Sequence, residues 1–111
     1  MPAQTDKDVG ERVMGWRLQG NRWLDANGQD TGQRTTTWKP SEDLLLARLA
    51  LKKWIGSNRT ARLEEQEGAA RAFLFEEKIE TIDGLPVNVG LEVKRAAGTL
   101  LPATVCAALL S

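Results

Sequence analysis

The stretch ARAFLFEEKIETIDGLPVNVGLEV, residues 70–93, decides the fold class. Phe73 and Phe75 share one face of a predicted strand over residues 70–79, and Val87, Val89 and Leu91 share one face of a second strand over residues 85–93. Asp83-Gly84 lies between them, and this dipeptide favours a tight turn between antiparallel strands. The stretch therefore predicts a β-hairpin. Helix is the alternative for residues 64–78, because Glu, Ala, Arg, Leu and Gln favour helix there.

Two helices are predicted from their apolar faces and their ends. The clearer one has a wide apolar face over residues 44–55. Ser41 is predicted to be its N-cap, because a serine hydroxyl accepts a hydrogen bond from a free backbone N–H. Gly56 is predicted to end it. A shorter, small-residue helix is predicted over residues 103–110, with Pro102 in its first turn.

The remaining elements are short. Residues 1–4 are predicted to be a flexible tail, and a helix from Thr5 or Asp6 to about residue 14 follows it. Short strands are predicted over residues 16–19, 22–24, 33–38 and 60–65. This order of elements is typical of an α+β protein in which three helices pack on a small antiparallel sheet. We expect a single domain over residues 5–111.

Composition excludes several classes of function. Among 111 residues, 15 Lys+Arg balance 15 Asp+Glu, so no bulk electrostatic attraction to nucleic acid or to an anionic membrane is expected. With no His and one Cys, the chain has no Ser-His-Asp triad and no multi-thiolate zinc site. We expect a protein that is not an enzyme and uses no metal and no cofactor. The polar start and the absence of an apolar run of ~20 residues predict a cytoplasmic location without membrane insertion.

Short motifs along the chain resemble a phage protein family. They are Met14-Gly15-Trp16, Trp23-x-Asp25-x-x-Gly28, Thr31-Gly32, Pro40-Ser41-x-Asp43 and the C-terminal series Ala96, Thr99, Pro102, Ala103, Cys106, Ala108 and Leu109. In this order, over residues 10–110, the sequence resembles the phage ABA-sandwich domain family, and more loosely the NinX-type phage proteins. The resemblance implies an α-β-α sandwich of phage or prophage origin, and it implies no reaction. The chain departs from the family pattern at residues 44–46 and 107–108.

The candidate binding residues lie in the first half of the chain, which carries three of the four Trp. They are Trp16, Arg17, Arg22, Trp23, Arg34, Trp38, Lys39, Ser41 and Asp43. Aromatic rings beside Arg can stack on a base, and a helix N-terminus can hold an anion. The structural alternative is that Trp16 and Trp23 pack across two strands, while Ser41 caps the helix and Asp43 complements its dipole. Trp38 is predicted to be the most exposed of the three Trp.

Three other groups have simpler interpretations. Asp25 and Asp30 resemble calcium ligands, but the glycine and the distal Glu of a calcium loop are misplaced, so a turn is predicted. Cys106 is predicted to be a small core residue, because there is no His to activate it. Six Glu and four cations share residues 59–80. This region is either a solvated sheet face or an acidic surface for a basic partner.

The residues and the resemblance together predict a small phage or prophage protein that binds a host or phage protein. A host-defence antagonist such as an anti-CRISPR-type inhibitor is one concrete form. The alternative is a protein that sequesters a small ligand or nucleotide on the Trp/Arg surface and the helix N-terminus. The binding surface is either that Trp/Arg face or the acidic sheet face. The leucine-rich helix, wider than one sheet face needs, also favours a homodimer.

Overall fold

The computed structural model describes residues 2–111 and contains, within them, three α-helices and two three-stranded antiparallel sheets. The elements are α1 (Pro2–Asp8), β1 (Arg17–Gln19), β2 (Arg22–Leu24), β3 (Asp30–Arg34), α2 (Leu44–Ile55), β4 (Arg59–Gln66), β5 (Ala69–Ile82), β6 (Leu85–Gly98) and α3 (Leu101–Leu110). The α+β class and the three helices are therefore confirmed. The strands form two separate sheets, where a single sheet was predicted.

The described chain begins directly in a helix. α1 includes residues 2–4, for which a flexible tail was predicted, and residue 1 lies outside the described residues. The Gln4 amide donates to Oδ1 of Asp8, one turn further on, at 2.8 Å. Such a pair supports a helix across its first turns.

Gly10 lies in a wider, π-helical turn, Val9–Val13, which continues α1. A Cβ added at Gly10 would come within 2.9 Å of Cη2 of Trp23. Glycine is therefore needed here so that the Trp23 indole can pack directly against the helix backbone. Gly10 lowers the helix propensity of this segment, and its role is to allow this close approach.

The first sheet has the order β1-β2-β3, with Leu18 opposite Trp23. The strand predicted over residues 33–38 is instead β3, which ends at Arg34. The backbone N–H groups of Thr37 and Trp38 both donate to the Arg34 carbonyl, at 3.0 and 2.8 Å. This turn bends the chain back and carries Trp38 into the core.

The N-cap of α2 is Asp43, and the prediction of Ser41 is wrong. Oδ1 of Asp43 accepts from the N–H of Leu45 at 2.9 Å. The N–H of Ser41 donates instead to Oδ1 of Asp6 at 2.8 Å, which ties this loop to α1. Gly56 ends α2 with a φ of 55°, as predicted.

The second sheet has the order β4-β5-β6, and residues 64–78 lie in β4, in β5 and in the turn between them. The helix alternative for this segment is therefore excluded. Ala70, Ala72 and Leu74 on one face of β5 are buried. The pairing of β5 with β6 shifts by one residue after Leu74, which leaves Val93 without a cross-strand partner. This bulge bends the hairpin just where it leaves the core.

α3 closes the core against the second sheet, and Pro102 lies in its first turn as predicted. Val105 and Cys106 of α3 are fully buried, and the helix contacts both β5 and β6. α2 and α1 in turn contact α3. Among the helices of residues 2–111, none is long and apolar enough to cross a membrane.

Candidate functional site

Three of the four tryptophans form one cluster between the first sheet and α1. The ring centroids of Trp16 and Trp38 are 4.6 Å apart, and those of Trp16 and Trp23 are 6.2 Å apart. Trp23 is 2% and Trp38 is 1% exposed, so the prediction that Trp38 is exposed is wrong. Nε1 of Trp38 donates to the Asp6 carbonyl at 3.0 Å. The cluster is therefore mainly core, although Trp16 precedes β1 and is not a cross-strand partner of Trp23.

The predicted basic residues around this cluster are engaged in ion pairs or point to solvent. Arg34 contacts both oxygens of Asp30, at 3.0 and 3.2 Å, and Arg22 lies 3.9 Å from the same carboxylate. Arg17 and Lys39 are exposed. A hydrogen bond from the Gly32 backbone and, next, the Arg34 guanidinium lower the pKa of Asp30. The cation–π contacts identified within the described residues are Arg59 on Trp54 and Arg62 on Phe73, far along the chain from the cluster.

The predicted anion site at the N-terminus of α2 is filled by the chain itself. Asp43 caps the helix, so its carboxylate already takes a free backbone N–H. Ser41 is buried, and nothing in the described part of the chain accepts or donates a hydrogen bond at its Oγ. Asp43 therefore caps the helix and the Ser41 N–H ties the loop to Asp6, whereas the structural alternative had Ser41 as the cap.

A cleft of about 410 Å³ opens beside the tryptophan cluster. Its walls come from Ala3, Asp6, Lys7, Leu18, Trp23, Thr35, Trp38, Lys39 and Glu42. Of the nine predicted site residues, Trp23, Trp38 and Lys39 line it, and the other six do not. Within residues 2–111, no group pairs with the buried Nε1 of Trp23. The cleft has the size of a small-ligand site, with two acidic and two basic side chains around apolar walls.

The other groups that the sequence singled out have structural roles. Oδ1 of Asp25 accepts from the N–H groups of Asn27 and Gln29, at 2.9 and 3.0 Å, which is the predicted turn. Cys106 is fully buried, and burial raises the pKa of its thiol to about 12. The thiol therefore stays protonated at neutral pH and is a weak nucleophile. Glu64 and Glu76 are paired with Arg62 and Arg59 across 3.3 and 3.5 Å.

A two-stranded arm projects from the second sheet, and the sequence did not predict it as a binding surface. β4 begins at Arg59, opposite Glu76, and beyond this pair β5 and β6 continue together without β4 to the turn at Asp83-Gly84. Both turn residues have positive φ, 52° and 80°, as a tight two-residue hairpin requires. We call residues 77–91 the arm.

One face of the arm is an uncovered apolar surface. The register places Ile82, Leu85, Val87, Val89 and Leu91 on the same face, next to Lys78 and Glu80. We call these five apolar side chains the arm face. Four of them, all but the half-buried Val89, are between 38% and 66% exposed.

The arm face continues the side of the sheet that the helices cover nearer the core. Leu74, on that side, is buried, and its cross-strand partner Lys94 donates to the carbonyls of Leu109 and Ser111, at 3.1 and 2.9 Å. These carbonyls are at the end of α3, so the helical cover stops there. The alternation of Val87, Val89 and Leu91 in the sequence predicts that they share one face of a strand, but it does not show that this face is exposed to solvent.

Comparison with solved structures shows a similar fold. No family model matches the chain, and no curated protein matches it. A phage protein from Bacillus cereus ATCC 14579, solved at 2.0 Å, superposes with a TM-score of 0.56 and 12% sequence identity. The match covers 99% of this chain and 89% of that one. The chain therefore has, over its whole length, the fold of a phage protein.

Proposed function

We propose that this is a phage-encoded binding protein that carries out no reaction and acts by occupying a protein of the bacterial host. Two independent similarities support a phage origin, namely the motif order that resembles the phage ABA-sandwich family and the fold shared with the Bacillus cereus phage protein. A domain of this size without an activated nucleophile acts through its surfaces. Antagonism of a host defence, as by an anti-CRISPR-type inhibitor, is the form that we favour.

The arm face is the observation that carries this proposal. Soluble monomers rarely leave contiguous apolar surface uncovered, and such surface marks sites of interaction. Full burial of one large aliphatic side chain contributes roughly 1.5–3 kcal/mol, so several side chains from this face supply a substantial binding energy. Two acidic residues of the arm, Glu80 on this face and Asp83 in the turn, make a basic rim on the partner favourable.

The test is capture of a host protein on the immobilised full chain, with a pair of matched variants. Leu85→Lys introduces a charge into the arm face, and Asn88→Lys introduces the same charge on the opposite face of the same strand. We expect the wild type and Asn88→Lys to retain the same stoichiometric protein, and Leu85→Lys to retain at least about tenfold less. Equal capture by all three, or no stoichiometric capture by the wild type, contradicts the proposal.

The host-defence form has its own readout. Expression of the chain in a strain with an active defence restores plating of a phage that the defence targets, and Leu85→Lys removes that restoration. Unchanged plating with the wild-type chain across the defences of its host contradicts this form while leaving the binding function open to the capture experiment.

The tryptophan cleft supports a second candidate function, sequestration of a small ligand or nucleotide. The unpaired Nε1 of Trp23 is a donor for a ligand atom, and the edges of two indoles give apolar walls. Because Lys7 and Lys39 are balanced by Asp6 and Glu42, the cleft favours a base or another planar group over a free phosphate. Titration of tryptophan fluorescence with mononucleotides tests this function, and an unchanged spectrum at millimolar ligand contradicts it.

A further inference from the structure

The chain exposes more solvent-accessible surface than a folded monomer of its mass typically does. Folded monomers of 12.2 kDa expose about 6,100 Å², whereas this chain exposes 7187 Å². Its radius of gyration is 15.8 Å, against about 13 Å for a compact domain of 111 residues. The excess of about 1,100 Å² is of the order that one partner contributes to a stable interface, about 800 Å². The projecting arm accounts for the elongated shape.

α2 presents a second apolar surface of complementary charge. Leu45 and Leu49, one turn apart, are 77% and 44% exposed. Arg48 and Lys52, also one turn apart and exposed, run beside them. α2 contains no acidic residue. Its outer surface is therefore a leucine ridge with a basic flank.

The arm carries the opposite combination. Its face carries Glu80 and Lys78 among the apolar side chains, and the whole arm has three acidic residues, Glu77, Glu80 and Asp83, against one basic residue, Lys78. The neutral total of the chain thus conceals an arm with an excess of acidic residues and a basic apolar surface on α2. The arm does not cover α2 within one chain, because Leu45 is the most exposed of the large apolar residues described.

We infer that a second copy of this chain occupies the arm face, with the arm of each protomer lying on α2 of the other. In such a two-fold dimer the contact occurs twice, and each protomer gives one arm and one helix surface. Leu85, Val87 and Leu91 meet the ridge of Leu45 and Leu49, while Glu80 meets Arg48. Both exposed apolar surfaces are then covered by one arrangement. The inference rests on the proposed function only in taking the arm face as a protein-binding surface, which either a second copy or the host protein occupies at one time.

The oligomeric state of the full chain tests the inference. Sedimentation equilibrium over about 1–100 µM measures dissociation in the micromolar range, where the weaker interfaces of this size come apart. We expect the wild type to be a dimer. Glu80→Arg and Arg48→Glu should each lower its association constant at least tenfold. The double variant should restore the association, because the ion pair is re-formed with reversed signs. Glu77→Arg is the matched control, since Glu77 lies on the opposite face of the arm and its change in charge is identical. Circular dichroism of each variant confirms that these exposed substitutions leave the fold intact.

A monomer at every concentration, a Glu80→Arg variant that behaves as Glu77→Arg does, or a double variant that recovers nothing overturns the inference. Its failure is distinct from failure of the proposed function. A monomer that captures a host protein through Leu85 refutes the dimer and supports the function. A dimer that the double variant restores, in a chain that captures no host protein, supports the inference and refutes the proposed function.

Discussion

The tryptophan cluster and the arm both carry large apolar side chains, yet those of the cluster are mostly buried and those of the arm are mostly exposed. β5 shows the difference along one face of a single strand, because Leu74 is fully buried and Ile82, eight residues later on the same face, is 49% exposed. Both residues lie in the same hairpin and pair with β6. What differs is the opposing layer, since α3 packs over Leu74 and ends before the arm begins. An apolar pattern thus shows that a strand has a face to bury, and the neighbouring element decides whether that face is buried.

Truncation of a side chain in the tryptophan cluster should lower the free energy of unfolding more than any other change proposed for the two regions. Trp38→Ala is expected to lower the free energy of unfolding by ~3–5 kcal/mol, because it empties a core site and leaves the Asp6 carbonyl without its donor. Urea denaturation measures the loss. Trp38→Phe keeps most of the ring volume and extends the test if the alanine variant does not fold. A loss below about 1 kcal/mol for Trp38→Ala would show that the cluster is not core.

The same leucine-to-alanine change in two places of one hairpin gives the sharpest comparison. Leu74→Ala should cost ~2–5 kcal/mol, because it leaves a cavity under α3. Leu85→Ala, on the arm face, should change stability by less than about 0.5 kcal/mol. Thermal or urea unfolding at low protein concentration, where association does not contribute, checks both values. Equal losses would mean that the arm folds back onto the core in solution.

A smaller effect distinguishes the two residues that could cap α2. Asp43→Ala should cost about 1 kcal/mol, because the carboxylate bonds the N–H of Leu45. Ser41→Ala should cost less than about 0.5 kcal/mol, because its Oγ has no partner within the described chain. Paired urea denaturation curves measure the difference. The opposite ranking would restore Ser41 as the cap.

The smallest expected effect is at the exposed edge of the first sheet. The carbon-13 NMR titration of the Asp30 carboxyl should give a pKa below its ordinary value of 3.8. Because folding lowers this pKa, the stabilisation is present above that value and is lost as the pH falls through the lowered pKa. Arg34→Gln should raise the Asp30 pKa only in part, since the Gly32 hydrogen bond is the larger cause. A pKa of Asp30 that Arg34→Gln leaves unchanged would contradict the ion pair.

Elements with strong local signals could be predicted from the sequence. Asp83-Gly84 placed the β5–β6 turn, Gly56 the end of α2 and Pro102 the first turn of α3, because glycine accepts a positive φ that ends or turns a strand or helix, while proline fixes φ at a value suited to a helix start. Where two signals competed, the sequence could not choose. Ser41 and Asp43 are both good N-caps, and Asp6, remote in the chain, takes the Ser41 N–H.

The candidate site was harder to predict than the fold. Of the nine residues proposed, three line the tryptophan cleft, because Trp23, Trp38 and Lys39 meet there through contacts that span the first sheet and α1. The arm face was visible as an alternation of Val87, Val89 and Leu91 but was interpreted as an ordinary sheet face. Its exposure follows from the lengths of β4 and α3 relative to the hairpin, which no local pattern encodes.

By itself, the sequence determined the α+β class, the hairpin, α2 and α3, since these depend on periodicity and on residues with special backbone preferences. It also determined the neutral total charge and the absence of histidine. Tertiary structure alone decided that the strands form two sheets, that Trp38 is buried and that Asp43 caps α2. It also decided that the acidic, apolar arm projects beyond the helices. The physical reason is that burial and pairing depend on which distant element lies opposite a residue.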